Sequence, residues 1–394
     1  MEWWYHMPAV MWCGWVFLLG LIVGSFLNVV AARLPYGKSV VWPGSRCFTC
    51  RRKLRFTDNL PIWGYLRLRG RCRFCGAHFS SRYLWVEVGT GVAFVLLFMV
   101  DVLSQARGGP AFLRPWHPAP GLGFPYMGAG AGLPPWECWA VFLAHAVLVS
   151  LLIAAAVIDA GHRIIPPLIT YGGTVAGIIL STLMPWPWPS ALPPLNPAFV
   201  AGATWAIPEA LLGPIPHGVM PWPPVGPPPA WAPAGSWQLG LASSLVGAAA
   251  GTGLVRLVKF LFEKGMGKEA LGLGDADLLM MCGAFLGWQV VGVGFFAGAV
   301  AGLALRLPGL VRDLIAGRQV SNELPFGPGL ALGVMATWLA WPWLADGARP
   351  LFDATMVGLF ALIMVVGLFA AGLILRRGPA VDTAQETTPV GRAG

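Results

Sequence analysis

Long apolar runs, separated by short polar segments, make up most of this chain. A helix needs about 20 residues to cross the hydrocarbon core of a bilayer. Eight runs reach or approach that length, at residues 10–32, 84–102, 138–158, 168–184, 238–255, 277–305, 330–344 and 352–375. The run 277–305 is too long for one upright helix, and a tight hairpin of two shorter helices would resolve this. The pattern therefore predicts an all-α polytopic membrane protein with eight or nine transmembrane helices.

The composition excludes an ordinary soluble domain. Of the 394 residues, 56% are hydrophobic and 11% are charged, whereas charged residues make up about a quarter of soluble proteins. The first apolar run has no Lys or Arg before it and contains Ser25 and Asn28. A cleaved signal peptide has a basic start, so we predict that this run is a retained helix.

The distribution of basic residues predicts the orientation in the membrane. Residues 33–83 contain twelve Lys and Arg against one acid, Asp58, whereas residues 186–237 contain no Lys or Arg. Since basic loops stay on the cytoplasmic side, the first segment is expected in the cytoplasm and the second outside. The other basic clusters all lie on the cytoplasmic side only if the segment 277–305 crosses the membrane twice, outward and then back. The prediction is nine helices in the inner membrane, with the N-terminus outside and the C-terminus inside.

The same patterns divide the chain into six parts. We expect a first transmembrane helix at residues 1–35 and a cytoplasmic loop at 36–83. Helices carrying Asp159 follow at 84–184, and a Pro/Trp-rich extracytoplasmic insertion at 185–237. Helices carrying Asp275 occupy 238–377, and a disordered tail occupies 378–394. Two further segments are Gly/Pro-rich. Residues 104–136 are expected to form an extracytoplasmic loop, and residues 322–329 a broken segment that re-enters the membrane beside the two aspartates.

Four of the seven cysteines lie in the cytoplasmic loop as two Cys-x-x-Cys pairs, namely Cys47 with Cys50 and Cys72 with Cys75. Two such pairs, here 21 residues apart, supply four thiolates for a closed tetrahedral zinc site of the zinc-ribbon type. Disulfides are disfavoured in the reducing cytoplasm. The loop is also basic and aromatic, but its charge sets topology, faces lipid headgroups and offsets the thiolates. We therefore expect contact with membrane lipids and no nucleic-acid binding.

Two aspartates stand at the ends of apolar runs, on the side predicted to be cytoplasmic. Asp159 ends one run, and Asp275 begins another within Gly272-Leu273-Gly274-Asp275-Ala276-Asp277. A carboxylate at the bilayer edge is a functional hypothesis by default, and glycines such as Gly272 and Gly274 permit close approach of another backbone. The alternative for Asp275 alone is a helix cap. For Glu87 we favour an interfacial carboxylate paired with Arg82, and to His162 we assign no chemistry.

Two close aspartates on different helices are the minimum equipment for aspartyl hydrolysis. They cannot both ionise, so one activates a water while the other donates a proton to the peptide carbonyl. No Ser/His/Asp set or free thiolate nucleophile competes. A second interpretation is a transporter in which Asp159 and Asp275 relay a cation or proton. A third is a membrane-anchored zinc-ribbon scaffold without catalysis.

The chain resembles the bacterial type IV prepilin peptidases, membrane aspartyl proteases with a Gly-x-Gly-Asp motif. The resemblance rests on segments 24–87, 159–166, 272–288 and 324–331. It implies that Asp159 and Asp275 are the catalytic pair and that the enzyme removes the leader of prepilins and pseudopilins after a glycine, in the cytoplasm. The four-cysteine loop is typical of the bifunctional branch, which then methylates the new N-terminus with S-adenosylmethionine. No residue indicates the binding site for that cofactor.

Three positions depart from the family pattern. Pro167 replaces an Asp or Asn, Gly161 stands where an acid is common, and Asp277 stands where Lys is frequent. Asp277 would place a third carboxylate near the pair. These departures bear on substrate preference more than on the catalytic assignment.

Overall fold

The computed structural model describes residues 7–103, 136–185, 218–221, 228–233, 235–266, 272–317 and 326–376. The predicted extracytoplasmic loop, most of the Pro/Trp-rich insertion and the tail lie outside these ranges. Ten α-helices are present within them: α1 (Met7–Arg33), α2 (Trp63–Leu68), α3 (Arg82–Phe98), α4 (Trp136–His162), α5 (Pro167–Leu183), α6 (Trp237–Met266), α7 (Leu273–Ile315), α8 (Phe326–Leu339), α9 (Trp341–Ala348) and α10 (Ala354–Arg376). No β-strand occurs in the described ranges, which confirms the all-α prediction.

Most of these helices are long and apolar enough to belong in a bilayer. Five have the length and composition of membrane spans, and three shorter apolar helices accompany them. The turn between α4 and α5 follows from two prolines. Pro166 is extended and Pro167 opens α5, a position where the missing N–H costs no helical hydrogen bond. Asp159 lies near this turn, and we call this end of the bundle the aspartate end.

Helix α7 is two helices that meet at Gly287. This glycine has φ 78° and ψ 170°, which no helical residue adopts. The second part of α7 runs back toward the aspartate end, because Gly302 packs against Gly329 of α8. Two residues earlier, Gly327 of α8 touches Asp159. The hairpin predicted over 277–305 is confirmed. With α7 counted as two, nine apolar helical segments lie within the described residues.

The run 330–344 is not one continuous helix. Helix α8 ends at Leu339, and a separate helix, α9, begins at Trp341. Pro342 has no N–H to continue the hydrogen-bond pattern of α8. Trp341 is buried and its ring lies 6.4 Å from that of Phe352, so burial of a large aromatic surface holds the bend in place.

Glycines bring the backbones of α6 and α7 into direct contact. A Cβ built on Gly283 would fall on the carbonyl of Gly247, and one built on Gly247 would fall on the carbonyl of Gly283. Gly251 meets the carbonyl of Leu279 in the same way. Small residues at helix interfaces maximise packing where lipid offers no hydrophobic driving force. These contacts fix α6 against α7, the helix that carries Asp275.

Replacing Gly283 by valine is expected to destabilise the protein, because the added side chain must displace backbone and not a flexible side chain. Overpacking of this kind costs about 1–3 kcal/mol or more. The measurement is the thermal unfolding midpoint in detergent. Gly292→Ala, on the same helix with open space around the glycine, is the matched control. Equal midpoints for Gly283→Val and wild type would contradict the packing described here.

A buried hydrogen bond between a histidine and an aspartate ties the opposite end of the bundle together. Nδ1 of His145 in α4 lies 2.6 Å from a carboxylate oxygen of Asp101, and Nε2 lies 2.7 Å from the carbonyl oxygen of Val219. Both side chains are fully buried. His145 therefore links α4 to the short segment 218–221, through Val219, and to the residues that follow α3, through Asp101.

Candidate active site and metal centre

Asp159 lies near the C-terminal end of α4 and faces the beginning of α8. Its carboxylate accepts a hydrogen bond from the backbone N–H of Gly327. Only 8% of the residue is exposed. A Cβ at Gly327 would lie 2.6 Å from Oδ2 of Asp159, so glycine is required for this contact. The positive end of the α8 dipole also favours a negative charge here.

Asp275 lies in the first turn of α7. Gly272 holds the N-cap position, so Asp275 is not itself the cap. Its carboxylate instead reaches back to the backbone N–H of Gly272, as in a capping box. A Cβ on Gly274 would lie 3.2 Å from Ile165, so the absence of a side chain lets the turn after α4 approach α7. Gly274 thus makes room for the turn after α4, and Gly272 supplies the N–H that holds Asp275.

The fold brings Asp159 and Asp275 together from different helices. The two carboxylates are close enough to repel each other electrostatically. Asp275 is 9% exposed, almost as buried as Asp159. In such a site two like charges disfavour each other, which is the electrostatic condition under which a pair of carboxylates titrates as one unit. The arrangement can hold one acid and one base side by side.

Asp277 is balanced by a partner of its own. Its Oδ1 lies 3.6 Å from an amino nitrogen of Arg256 in α6, an ion pair too long to be a hydrogen bond. The Asp277 side chain is 14% exposed. The guanidinium of Arg256 therefore offsets the charge of Asp277, which weakens the repulsion between Asp277 and the other two aspartates.

The predicted pairing of Glu87 with Arg82 is wrong. Arg82 donates a hydrogen bond to the carbonyl of Val157, near the C-terminal end of α4, where the helix dipole is negative. Its guanidinium also packs against Gly161, at which a Cβ would lie 2.9 Å from a guanidinium nitrogen. Glu87 instead accepts a hydrogen bond of 2.7 Å from the backbone N–H of Ile62. Glycine at position 161 thus makes room for Arg82, which ties α3 to the helix carrying the first aspartate.

The two Cys-x-x-Cys pairs form two turns of the same shape. In the first, the N–H of Cys47 bonds to the carbonyl of Arg52, and the N–H of Arg51 returns to the carbonyl of Cys47. Cys72 makes the corresponding bonds with Ala77 and Gly76. The residue after the second cysteine has positive φ in both turns, 61° at Arg51 and 69° at Gly76. Each turn therefore aims its two thiols to one side.

The four thiols converge on one point. The sulfur atoms of Cys47, Cys50, Cys72 and Cys75 all lie within 4.8 Å of one another, and those of Cys47 and Cys75 are 3.7 Å apart. Tetrahedral zinc at about 2.3 Å from each sulfur requires sulfur atoms about 3.8 Å apart. The donor set thus fits a metal of that kind, with no coordination position left for substrate.

Hydrogen bonds prepare the cluster for ionisation. The pKa of Cys47 is lowered to about 6, chiefly because the backbone N–H of Cys50 donates to its sulfur. At Cys75 the N–H of Ala77 acts in the same direction, but burial and bonds shared with the other thiols raise the pKa to about 11. One thiol therefore ionises readily, and the last requires a cation to do so.

An ion pair holds the second turn to the rest of the loop. Arg73 donates hydrogen bonds from Nε to both carboxylate oxygens of Asp58, at 3.1 and 3.0 Å, and also from its amino group. The guanidinium lowers the pKa of Asp58, the only acid of the loop. The segment that precedes α2 is thereby fixed to the metal-binding end of the loop.

Several polar residues inside apolar runs have partners that the sequence did not predict. Nδ2 of Asn28 in α1 donates to the carbonyl of Tyr83 at 3.0 Å, where α3 begins. Asp101 and His145 form the buried pair at the opposite end. The signal was present in each case as a polar residue within an apolar run. What the sequence lacked was the identity of the partner.

Comparison with known proteins matches two parts of the chain to family models. Residues 18–100 match the Bacterial Peptidase A24 N-terminal domain, and residues 230–307 match the Type IV leader peptidase family. The first segment contains the four cysteines and Glu87, and the second contains Asp275. Asp159 lies between them. No solved structure matches the chain.

Curated relatives are similar over most of the chain. A prepilin leader peptidase/N-methyltransferase of Myxococcus xanthus (strain DK1622) is 33% identical over 328 residues, covering 82% of this chain and 70% of that protein. The protein of the same name from Klebsiella pneumoniae is 31% identical, with coverage of 71% and 88%. That from Dickeya chrysanthemi is 27% identical, with coverage of 83% and 95%. By these relatives and both domain matches, the chain belongs to the type IV leader peptidase family.

Proposed function

We propose that this protein removes the leader peptide of type IV prepilins and pseudopilins and then methylates the new N-terminal residue. Asp159 and Asp275 are the catalytic pair in this proposal. One carboxylate, in its charged form, takes a proton from a bound water, and the other, protonated, donates to the peptide carbonyl at the cleavage site. The leader is cut after a glycine.

The observation that carries the proposal is the meeting of these two aspartates. Each is at least nine-tenths buried, and each carboxylate accepts a hydrogen bond from a backbone N–H, that of Gly327 for Asp159 and that of Gly272 for Asp275. A carboxylate in such a place costs several kcal/mol unless it is paired or used. Asp277, by contrast, has Arg256 beside it. Asp159 has Arg163 close enough to act on it electrostatically, but its carboxylate also faces Asp275, and the two carboxylates together supply the acid and the base that the mechanism needs.

For the cysteine cluster we propose one structural zinc ion. A fully ligated zinc cannot bind a substrate or activate a water, but it holds the loop 36–83 in shape. We assign this loop to the methyl-transfer part of the protein, with S-adenosylmethionine as the methyl donor. The names of the relatives, which include N-methyltransferase, support this second activity.

The distribution of basic residues supports an orientation in the inner membrane. The aspartate end, the cysteine loop and the C-terminus are placed in the cytoplasm, and the N-terminus outside. The Pro/Trp-rich segment 185–237 then lies outside. In this orientation the catalytic pair meets a prepilin before it leaves the inner leaflet, and lipids surround the apolar helices.

The transporter interpretation gains no support from the relatives. Relays of cations or protons lie near the bilayer midplane at broken helices. Asp159 instead lies within the last turn of α4, and Asp275 within the first turn of α7. The break in α7 is at Gly287, twelve residues from Asp275.

Both activities can be tested in one experiment. Purified protein is incubated with a prepilin and labelled S-adenosylmethionine, and loss of the leader mass and gain of a methyl group are read separately. We expect both, with methyl gain only on the cleaved product. An intact prepilin would overturn the protease assignment, and a cleaved but unmethylated product would overturn the second activity.

A further inference from the structure

A cavity of about 530 Å³ lies where the cysteine loop folds over the ends of α1 and α3. Ligand sites for small molecules have volumes of about 300–1,000 Å³. Its wall combines aromatic rings, amides and a carboxylate, including those of Asn28, Phe48, Asn59, Tyr65, Tyr83 and Glu87. None of these residues takes part in peptide cleavage as proposed above.

Glu87 places a carboxylate, fixed by hydrogen bonds, in the wall of the cavity. The residue is 8% exposed, and its Oε2 is held by the N–H of Ile62 at 2.7 Å. Ser25 provides a second hydrogen bond. Asp58, the other carboxylate of the wall, is neutralised by Arg73. Glu87 is therefore the carboxylate of the wall that can interact with a positive centre of a ligand.

The rest of the wall suits the other parts of a nucleoside attached to an amino acid. Phe48 and Tyr83 have ring centroids 6.4 Å apart, and aromatic faces bind planar bases and cationic groups. Asn59 and Tyr65 offer hydrogen-bonding groups for hydroxyls and amide-like edges. Arg33, Arg46 and Arg51 also line the cavity, and a guanidinium binds a carboxylate in two-point geometry.

We propose that this cavity binds S-adenosylmethionine, with Glu87 facing its sulfonium and amino charges. This deepens the methyl-transfer part of the proposed function and rests on it. The donor carries one flat base, two positive centres and one carboxylate; the aromatic rings suit the base, Glu87 faces both positive centres, and the guanidinium groups suit the carboxylate. Cys47 also belongs to the wall. The metal cluster thus supports methyl transfer by shaping the donor site.

Residues adjacent to the cavity wall contact the helix that carries the first aspartate. The ring of Tyr36, which follows α1, lies 5.5 Å from the ring of His162 at the end of α4. Arg82, where α3 begins, reaches the carbonyl of Val157 in α4. Tyr36 and Arg82 each stand next to a residue or helix that lines the cavity, so the cavity and the end of α4 lie on the same side of the bundle.

The transfer needs no further reactant. A terminal amine has a pKa of about 7.7–8.0, so a useful fraction is unprotonated near neutral pH after losing its proton to water. The amine lone pair forms the new N–C bond while the S–C bond breaks, and the electron pair stays on sulfur. The products are a methylated ammonium, which takes over the positive charge and can then lose a proton to water, and a neutral thioether. Loss of the positive charge on sulfur weakens attraction to Glu87, which favours product release.

The test compares donor binding in wild type, Glu87→Gln and the control Glu263→Gln, whose carboxylate lies on α6 beside Lys259. Equilibrium dialysis of the full-length protein with labelled S-adenosylmethionine gives the dissociation constant. Glu87→Gln is expected to raise it at least tenfold, about 1.4 kcal/mol, and Glu263→Gln to leave it unchanged. Prepilin cleavage by the same preparations reports whether each variant is folded.

A second measurement does not depend on any substitution. Ultraviolet cross-linking of the labelled donor to wild type, followed by peptide mapping, is expected to label peptides from residues 25–87. Unchanged affinity in a folded Glu87→Gln variant, or label elsewhere, would overturn the cavity assignment. Loss of binding on adding phosphatidylglycerol to phosphatidylcholine nanodiscs would identify a lipid headgroup as the occupant and also overturn it. A wild type that neither binds nor transfers methyl would instead remove the methyltransferase proposal itself.

Discussion

Asp159→Ala and Asp275→Ala are each expected to abolish leader cleavage, with a loss of at least about 10³-fold. Each substitution removes one half of an acid–base pair, and positioned proton transfer contributes about 10²–10⁴-fold. A reporter prepilin incubated with each purified variant gives the rate by mass spectrometry. Asp159→Asn and Asp275→Asn keep the side-chain shape and should be similarly inactive, because an amide neither takes up nor releases the proton.

The matched control is Asp313→Asn, an aspartate on the same helix as Asp275 but beyond its return turn. It should cleave at the wild-type rate. The double variant should be no worse than either single one, since the two groups act as a unit. Full processing by Asp159→Ala or Asp275→Ala would remove the protease assignment. Inactivity of all variants, including the control, would point to a preparation that is not folded.

Cys47→Ser is expected to lose zinc and to impair methylation more than cleavage. Zinc binding to structural four-ligand sites is worth about 10 kcal/mol or more, and a serine hydroxyl is a far weaker ligand than a thiolate. The loop that lines the donor cavity depends on this metal, whereas the aspartates are held by α4, α7 and α8. Elemental analysis gives the zinc content, and the combined cleavage and methylation assay gives the two activities.

Cys13→Ser serves as the control for that experiment. Cys13 is a free cysteine in α1, outside the cluster, so its replacement should leave zinc content and both activities as in wild type. Equal zinc content in the Cys47→Ser variant would count against the metal site. An equal loss of cleavage and methylation would show that the loop also supports the protease.

The parts of the site that the sequence predicted share one property, namely that the chemistry lies in a short local pattern. The two Cys-x-x-Cys pairs predicted four thiols close together, which the structure shows, and the glycines of Gly272-Leu273-Gly274-Asp275 predicted a close approach of another segment beside a carboxylate, as Ile165 makes at Gly274. The return of α7 followed from length alone, since 277–305 exceeds one membrane thickness. The position of the turn could not be predicted, because several glycines lie in that run and only Gly287 has a positive φ.

What the sequence could not supply were the partners of polar groups. Glu87 lies five residues from Arg82, and proximity along the chain favoured their pairing. In the folded protein the guanidinium goes to the end of α4, and the carboxylate receives the N–H of Ile62. The cavity was missed for the same reason, because its wall is assembled from two helices and a loop whose relative placement no local pattern encodes.

The two metal-binding turns differ in one respect that matters if the ion is lost. A left-handed backbone is natural for Gly76 but costs about 1–2 kcal/mol for a residue with a side chain such as Arg51. A bound metal would hold both turns equally, but only the first turn contains a non-glycine residue, Arg51, in the left-handed backbone conformation. Demetallation would therefore unravel the loop in a fixed order, beginning at Arg51 and its neighbours, while the half around Gly76 stays anchored by Asp58 and Arg73.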